Sequence, residues 1–548
     1  MNHTAPSDGA HPRAVIAILA VTIAVYAAMS AYGVIYGRTW LDEVTYIVKS
    51  YWYVTGSVRP YSDADATWYM PFYFYQLGWA QQVFGQGHVT GRVMSSVMGA
   101  LSGGLVFLIC RRLNVSAAVA AGAVALYLLT PTTAYYFATA TPIATVALLL
   151  LLAIYTIQAS AGKPRLGVSA GLGVLFAVLY FYRQNMVLAL AVLAPLYIYL
   201  IGGRRAVNGG IMILAAATVS ALVLAVFPEK LALYAIRLPV VTPLLHQLGL
   251  LPDTLRIIQE ATETRYTLSL DPGRLSWRDP MNGFVLPFLG TVALAVFAVR
   301  RSERFLLLVP AFFFLLAVTH YLGSAGYCPV CILTYTSYFV GVGAVAAALA
   351  VDVLWRRGNA WLAAAVGAGA LAANVFGTAF AVPNAMGEPS PYRTFPMPLV
   401  SLNSGLPDLV VSERLARIVA MATPANARVL VLDDQPALAY AAALAGRTLP
   451  VQGLNMRQSY RRLRGDLPDA QRAEAIRILE AESLWTDATL LSWIGDDSIS
   501  AVMHQANAVP LSPEARLRLG ERFRLSANVI VLGRNVEIYT RTAAPAAR

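Results

Sequence analysis

Long apolar runs separated by short polar connections dominate the first two thirds of the chain. Each run of about 18 to 22 residues is long enough to cross a bilayer as an α-helix. We predict about eleven such spans. Their expected bounds are 14–36, 91–110, 114–131, 140–159, 166–183, 185–202, 209–228, 282–299, 304–322, 332–353 and 359–382.

The pattern changes after residue 383, where a linker rich in Pro, Ser, Gly and Asn extends to residue 407. Strands alternating with helices are typical of a small α/β domain. The expected strands are 427–432, 489–494, 529–532 and 536–540, and the expected helices are 435–445, 468–484 and 513–522. We therefore predict two domains, a polytopic α-helical membrane region at 1–383 and a soluble α/β domain at 384–548.

Composition agrees with a polytopic membrane protein. Hydrophobic residues make up 57% of the 548 residues and charged residues only 13%, which is too apolar for a soluble protein of this size. The net charge of +12 comes from arginines dispersed over short loops rather than from one basic stripe, so no nucleic-acid partner is expected. Lysine is rare beside arginine, which favours a GC-rich bacterial genome.

Basic residues mark alternate connections between the spans, including Arg111-Arg112, Arg204-Arg205 and Arg356-Arg357. The positive-inside rule assigns these connections to the cytoplasm. The N-terminus is then cytoplasmic, and an odd number of spans leaves the C-terminal domain outside. The first apolar run is longer than a signal-peptide core, so we interpret it as an uncleaved span. We expect a multi-pass protein of the bacterial inner membrane.

Two adjacent carboxylates, Asp42 and Glu43, follow the first apolar run by a few residues. An acidic pair at the membrane surface is costly to desolvate, which favours a chemical role. The alternative is a solvated helix start with Asp42 as its cap. A dense aromatic cluster at 68–75 lies farther along the same loop, and such rings either anchor at the membrane interface or stack on sugars.

Cysteine and histidine give weaker signals. Cys328 and Cys331 lie at a predicted outer connection, where they form a candidate disulfide or remain two thiols. The histidines are not spaced as a metal set, so no metal site is assigned. No cofactor is assigned either, and assistance by a divalent cation stays open.

Three short motifs resemble the GT-C superfamily of membrane glycosyltransferases. They are Trp40-Leu41-Asp42-Glu43 after the first span, a Pro-Phe-Tyr element within 68–75, and Gly91-Arg92-Val93-Met94-Ser95-Ser96 at the start of the second span. The most similar branch contains the protein mannosyltransferases and lipid A aminoarabinose transferases. The resemblance covers about 14–382. It implies transfer of a sugar from a polyprenyl-phosphate donor to an acceptor hydroxyl of an envelope glycan, lipid or protein at the outer face.

The resemblance also implies roles for individual residues. Asp42 matches the base of the family, with Glu43 beside it, and a carboxylate can take the proton of an attacking hydroxyl in one inverting step. Independently of the resemblance, the departing phosphate needs cations in a dry site. Arg183 is the first candidate, although snorkelling to the interface explains it equally well. Further candidates for the phosphate are Arg59, Arg92, Arg256, Arg265, Arg274 and Arg278, and candidates for the sugar or acceptor are Tyr46, Trp68, Tyr69, Tyr73 and Asn185.

The chain departs from the aminoarabinose transferases at two places. Those enzymes carry Glu-Lys just before their Pro element, near the position of Trp68 and Tyr69, and a second acid where this chain has 138–142. Their substrate and metal are therefore not transferred to this chain. Two other classes stay open: a secondary transporter, and a non-catalytic envelope assembly or sensor protein.

Overall fold

The computed structural model describes residues 12–36, 41–57, 71–183, 186–226, 261, 337–369, 408–432, 437–449, 463–481, 486–505, 511–531 and 534–542. The predicted spans 282–299 and 304–322 and the linker lie outside these ranges. The chain divides into two compact units. The first comprises Met1–Val34, Arg92–Leu231 and Leu268–Ser404, and the second comprises Ile35–Gly91, Ala232–Thr267 and Gly405–Arg548. The segment between the first two predicted spans therefore groups with C-terminal residues, and the boundary at 383 stays a prediction.

Helices account for most of the described residues. Up to residue 369 they are α1 (Pro12–Tyr36), α2 (Leu41–Thr55), α3 (Pro71–Phe84), α4 (His88–Arg112), α5 (Ala117–Leu128), α6 (Pro131–Phe137), α7 (Ile143–Ser160), α8 (Leu166–Tyr182), α9 (Val187–Ile201), α10 (Arg205–Val226), α11 (Val340–Arg356) and α12 (Ala360–Gly369). The C-terminal elements are α13 (Asp408–Ala422), β1 (Val429–Leu432), α14 (Ala437–Leu444), α15 (Asp469–Ala481), α16 (Asp487–Gly495), β2 (Ala501–Gln505), α17 (Pro513–Arg522), β3 (Phe523–Val531) and β4 (Arg534–Arg541).

Among the described helices, α1, α4, α7 and α10 are long and apolar enough to cross a membrane. Helices α5, α8, α9 and α12 are apolar but shorter. Large apolar side chains such as Val21 on α1 and Leu214 on α10 are exposed, as lipid-facing positions should be. A helical multi-pass membrane protein is thus confirmed, whereas the count of eleven spans stays a prediction.

A buried hydrogen-bond network joins three apolar helices of the first unit. The Ser169 hydroxyl on α8 donates to Asn208 Oδ1 on α10 at 2.6 Å, and Tyr197 OH on α9 donates in turn to Ser169 Oγ at 2.6 Å. Polar groups in an apolar bundle are expensive unless they are bonded to one another, so this network fixes which faces of α8, α9 and α10 meet.

Asp352, near the end of α11, fixes the connection between α4 and α5. Its Oδ1 accepts the backbone N–H of Ser116 at 2.9 Å, and its Oδ2 lies 2.8 Å from Nε of Arg356 one turn later. The Arg356 guanidinium also donates to the carbonyl of Asn114. One buried carboxylate therefore joins a connecting loop to a helix distant in sequence.

The C-terminal residues of the second unit form a four-stranded sheet in the order β1-β2-β4-β3. Strands β1 and β2 are parallel, whereas β4 is antiparallel to both of its neighbours. Leu430, Leu432 and Val502 contribute to a buried core with Ile494 of α16 and Leu519 of α17. This packing makes one side of the sheet apolar and covers it with helices.

One predicted strand is wrong. Residues 489–494 belong to α16, where Thr489 Oγ1 accepts the N–H of Thr486 at 3.2 Å and marks a helix start. The spacing of four between Leu490 and Ile494 buries both on one helical face. The strand beside β1 is instead 501–505, which the prediction missed. The other predicted strands overlap β1, β3 and β4.

Candidate functional site

Helix α2 carries the acidic pair. It begins at Leu41, so the backbone of Asp42 lies in its first turn. Every residue from Glu43 to Ser50 is buried, which makes α2 an enclosed helix rather than a surface one. The helix thus begins one residue before Asp42. The role of Asp42, as a chemical group or as a helix cap, stays a prediction.

Two oppositely charged residues of α2 are enclosed. Glu43 is 0% exposed and Lys49 is 1% exposed. Removing either ion from water costs several kcal/mol. Buried ions therefore occur mainly where an opposite charge compensates them or where they serve a function. Lys49 lies seven residues after Asp42, which is two helical turns or about 10.5 Å along the axis. At 3.6 residues per turn, this spacing places the two positions on nearly the same face of α2.

The aromatic residues of α2 and α3 pack on one another. The rings of Tyr46 and Tyr73 meet edge to face with centroids 5.3 Å apart, and Phe74 lies 5.6 Å from Tyr46 and 5.2 Å from Tyr53. Tyr46 and Tyr73 are fully buried. Edge-to-face packing accounts for their burial without a ligand, and the predicted role of these two residues in binding sugar or acceptor stays a prediction.

Gln81 of α3 connects its helix to α2. Its Nε2 donates to Ser50 Oγ at 2.7 Å and to the carbonyl of Ile47 at 3.0 Å. Its Oε1 accepts the backbone N–H of Gly87 at 3.1 Å. The side-chain amide is 1% exposed, so these bonds form in a low-dielectric environment that strengthens them.

Two arginines predicted to bind phosphate lie in the first unit. Arg92 is buried, and its Nη1 donates to the carbonyls of Gly33 and Val34 at 3.2 and 3.0 Å. These carbonyls belong to the last turn of α1, where a helix leaves its acceptors unsatisfied and favours a cation. Arg92 thus has a structural role at the end of α1. Arg183 follows the last residue of α8 and is half-buried. Binding of phosphate by either residue stays a prediction.

The remaining predicted site residues lie outside the described residues. They are Arg59, Trp68, Tyr69, Asn185, Arg256, Arg265, Arg274, Arg278, Cys328 and Cys331. Within the described ranges, no group of three His, Cys, Asp or Glu side chains is arranged to hold a metal ion.

Sequence reasoning missed Lys49, Ser50 and Gln81, and it considered His88 only as one of the histidines that are not spaced as a metal set. A signal for Lys49 and Gln81 was present, because each is a polar residue within an aromatic and apolar stretch. Assigning that signal required knowing that 41–55 and 71–84 are helices in contact.

Comparison with known proteins identifies the fold. Residues 67–251 match the family of dolichyl-phosphate-mannose-protein mannosyltransferases. No curated protein is significantly similar to the chain in sequence. The crystal structure of ArnT from Cupriavidus metallidurans bound to undecaprenyl phosphate superposes with a TM-score of 0.56 at 13% identity, covering 98% of this chain and 99% of that one.

A second solved structure is less similar. The Archaeoglobus fulgidus oligosaccharyltransferase tethered with an acceptor peptide gives a TM-score of 0.47 at 12% identity, covering 97% of this chain and 75% of that one. This score is too low to support the fold assignment. The family match and the ArnT superposition confirm the resemblance seen in the sequence. The chain is a helical membrane protein with the GT-C fold of the membrane glycosyltransferases.

Proposed function

We propose that this protein transfers a sugar from a polyprenyl-phosphate carrier to an acceptor hydroxyl, with Asp42 as the general base. The observation that carries the proposal is the enclosed helix α2, which bears Asp42 in its first turn beside the buried Glu43. Enclosed carboxylates are expensive to maintain and cluster at functional sites. The similarity in fold to membrane glycosyltransferases supports this class of reaction.

The proposed step is a single displacement at the anomeric carbon. Asp42 accepts the proton of the acceptor hydroxyl, and the oxygen of that hydroxyl forms the new glycosidic bond with the anomeric carbon. The bond between the anomeric carbon and the phosphate oxygen breaks, and the electron pair leaves with the polyprenyl phosphate. Attack from the face opposite the leaving group inverts the anomeric configuration.

The departing phosphate gains negative charge as the bond breaks and needs cations placed in advance. We assign this role first to Arg183, which follows α8. Lys49 is an additional candidate, because it is enclosed on the same helix as Asp42 and its position lies on nearly the same helical face, two turns later. An ammonium binds phosphate as a point charge without a fixed fork geometry.

The chemistry of the proposed step and the structural neighbour support a polyprenyl carrier. ArnT of similar fold was crystallised with undecaprenyl phosphate, so we propose a polyprenyl carrier of that kind for this chain. The acceptor is an envelope glycan, lipid or protein. We further propose that the protein lies in the bacterial inner membrane with a cytoplasmic N-terminus, and that its C-terminal sheet lies on the outer side.

The test uses the full-length protein purified in detergent. It is mixed with several radiolabelled polyprenyl phosphate sugars and a crude envelope fraction as acceptor, and release of label from each lipid is measured. We expect label to leave one lipid in the presence of the wild type and to stay on it with Asp42→Asn. Asp466→Asn is the matched control, since Asp466 is an exposed acid of the same unit.

Three results would contradict the proposal. One is turnover of no lipid donor by the wild type, and another is full turnover by Asp42→Asn. An equal loss of label release in Asp42→Asn and Asp466→Asn would show that the effect comes from a general loss of folded protein. A secondary transporter or a scaffold protein would tolerate Asp42→Asn without any change in the lipid pool.

A further inference from the structure

Tyr440 of α14 contacts the start of α4 within the second unit. Its hydroxyl accepts the backbone N–H of His88 at 3.3 Å, and its ring meets the His88 imidazole edge to face with centroids 4.5 Å apart. Tyr440 and His88 are both 1% exposed. A residue from the C-terminal part of the chain is therefore packed against the segment that follows α3.

The contact depends on the local backbone. The first N–H groups of a helix have no partner inside the helix, and Tyr440 supplies an acceptor for the first N–H of α4. Gly87 precedes it with φ +136°, a conformation that residues with side chains rarely adopt. A Cβ at Gly87 would lie 3.2 Å from Tyr440 OH, so glycine permits this close approach.

The same short segment contacts Gln81. The N–H of Gly87 donates to Gln81 Oε1 at 3.1 Å, and Gln81 Nε2 donates to Ser50 Oγ at 2.7 Å and to the carbonyl of Ile47 at 3.0 Å. Consecutive N–H groups at residues 87 and 88 therefore point to two partners, Gln81 and Tyr440. These bonds form a continuous buried path from α14 to α2.

We propose that Tyr440 is a positioning residue for α2, acting through His88, Gly87 and Gln81 on the helix that carries Asp42. This inference rests on the proposed function. Helix α14 also packs directly against α2, so the C-terminal part of the chain supports the acid pair along two routes. A general base must be held in a narrow range of positions, and a displacement of about 1 Å costs roughly a hundredfold in rate.

The expected effect of a conservative change is small but specific. Tyr440→Phe keeps the ring contact with His88 and removes only the hydroxyl acceptor. One hydrogen bond of about 0.5–1.5 kcal/mol, expressed fully in the transition state, corresponds to a decrease of about 2- to 12-fold in kcat. The KM for the lipid donor should stay unchanged, because the change affects the base rather than donor binding.

Tyr539→Phe is the matched control. It removes the same atom from the same unit, a hydroxyl that donates to Glu537 Oε2 at 2.9 Å in the sheet, away from the path to α2. We expect the kinetics of Tyr539→Phe to match those of the wild type. Equal decreases in kcat for the two variants would overturn the proposal and assign the effect to general stability.

Amide hydrogen exchange of the full-length protein provides a readout that does not need activity. Tyr440→Phe should speed exchange in peptides covering 41–55, and Tyr539→Phe should leave those peptides unchanged. Unchanged exchange in 41–55 for Tyr440→Phe would overturn the coupling, whether or not the wild type transfers sugar. Faster exchange in Tyr440→Phe together with an inactive wild type would refute the proposed function and keep the structural coupling.

A double-mutant cycle tests the order of the path. Gln81→Leu removes both the donor to α2 and the acceptor for Gly87, so it interrupts the path nearer to Asp42. If Tyr440 acts through Gln81, the kcat of the double variant should be less than twofold below the kcat of Gln81→Leu alone. Fully additive decreases in kcat would show that Tyr440 does not act through Gln81 and would overturn that part of the proposal.

Discussion

Gly78 of α3 lies against the backbone carbonyl of Ser50 in α2, so closely that a Cβ at position 78 would overlap the carbonyl oxygen. Helices α2 and α3 thus meet backbone to backbone at this point, three residues before the hydrogen bond from Gln81 to Ser50 Oγ. Only glycine permits this approach. The position of the helix that bears Asp42 therefore depends on the absence of a side chain at Gly78 as well as on the hydrogen bonds of Gln81.

The first prediction concerns this contact. Gly78→Ala should force α2 and α3 apart by a fraction of an ångström and lower the free energy of unfolding by about 1–3 kcal/mol. Hydrogen exchange in 41–55 should become faster, and kcat should fall. Gly104→Ala is the control, because a Cβ at Gly104 meets open space. An unchanged unfolding midpoint in detergent for Gly78→Ala would contradict the close contact.

A second prediction concerns the proposed base. Asp42→Asn keeps the size of the side chain and removes its ability to take a proton, so kcat should fall by about 10²–10⁴-fold. The KM for the lipid donor should change little, since the base acts on the acceptor. Steady-state kinetics with the labelled donor measure both quantities. A large increase in KM at unchanged kcat would assign Asp42 to binding instead.

Lys49 provides a third prediction. Lys49→Met keeps the length and apolar stem of the side chain but removes the ammonium, and we expect kcat/KM to fall about 10- to 100-fold if the cation stabilises the leaving phosphate. Lys49→Arg keeps the charge and should restore part of the activity. A protein with Lys49→Met that is as active as the wild type and equally or more stable would show that the buried charge contributes nothing to the reaction.

The fourth prediction concerns stability of the first unit. Asp352→Ala leaves the N–H of Ser116 and the guanidinium of Arg356 without their carboxylate partner. Because Arg356 is partly exposed, we expect a loss of about 1–3 kcal/mol in the free energy of unfolding rather than the full cost of a broken buried pair. Denaturant titration in detergent measures this change. Glu474→Ala, which removes an exposed ion pair with Arg477, should produce no measurable change.

The C-terminal sheet supports a fifth prediction, on pH. Burial and the neighbouring Glu537 carboxylate raise the pKa of Tyr539 from 10.0 to about 12. A raised pKa in the folded state means that the contribution of this phenol to stability is complete below pH 10 and is lost as the pH rises through 12. The difference in unfolding midpoint between wild type and Tyr539→Phe should therefore shrink from pH 9 to pH 12. A constant difference in unfolding midpoint over that pH range would contradict this prediction.

Local patterns predicted many of the elements. The apolar runs at 14–36, 91–110, 140–159 and 209–228 correspond to the long apolar helices α1, α4, α7 and α10, because length and hydropathy are properties of the segment itself. The strands at 427–432 and 536–540 were also predicted correctly. The failure at 489–494 has a physical reason: a short apolar run fits a buried strand and a buried helix face equally well until its packing partners are known.

The sequence by itself indicated a multi-pass helical membrane protein that resembles the GT-C superfamily, and it singled out Asp42 and Glu43 as candidates, because hydropathy and adjacent carboxylates are readable one segment at a time. Only the tertiary structure decided that α2 is enclosed, that Lys49 is buried on it, that Arg92 caps α1 and that Tyr440 contacts His88. Each of these facts depends on residues brought together from distant positions. Burial and hydrogen bonding are properties of the folded neighbourhood, which no single stretch of sequence specifies.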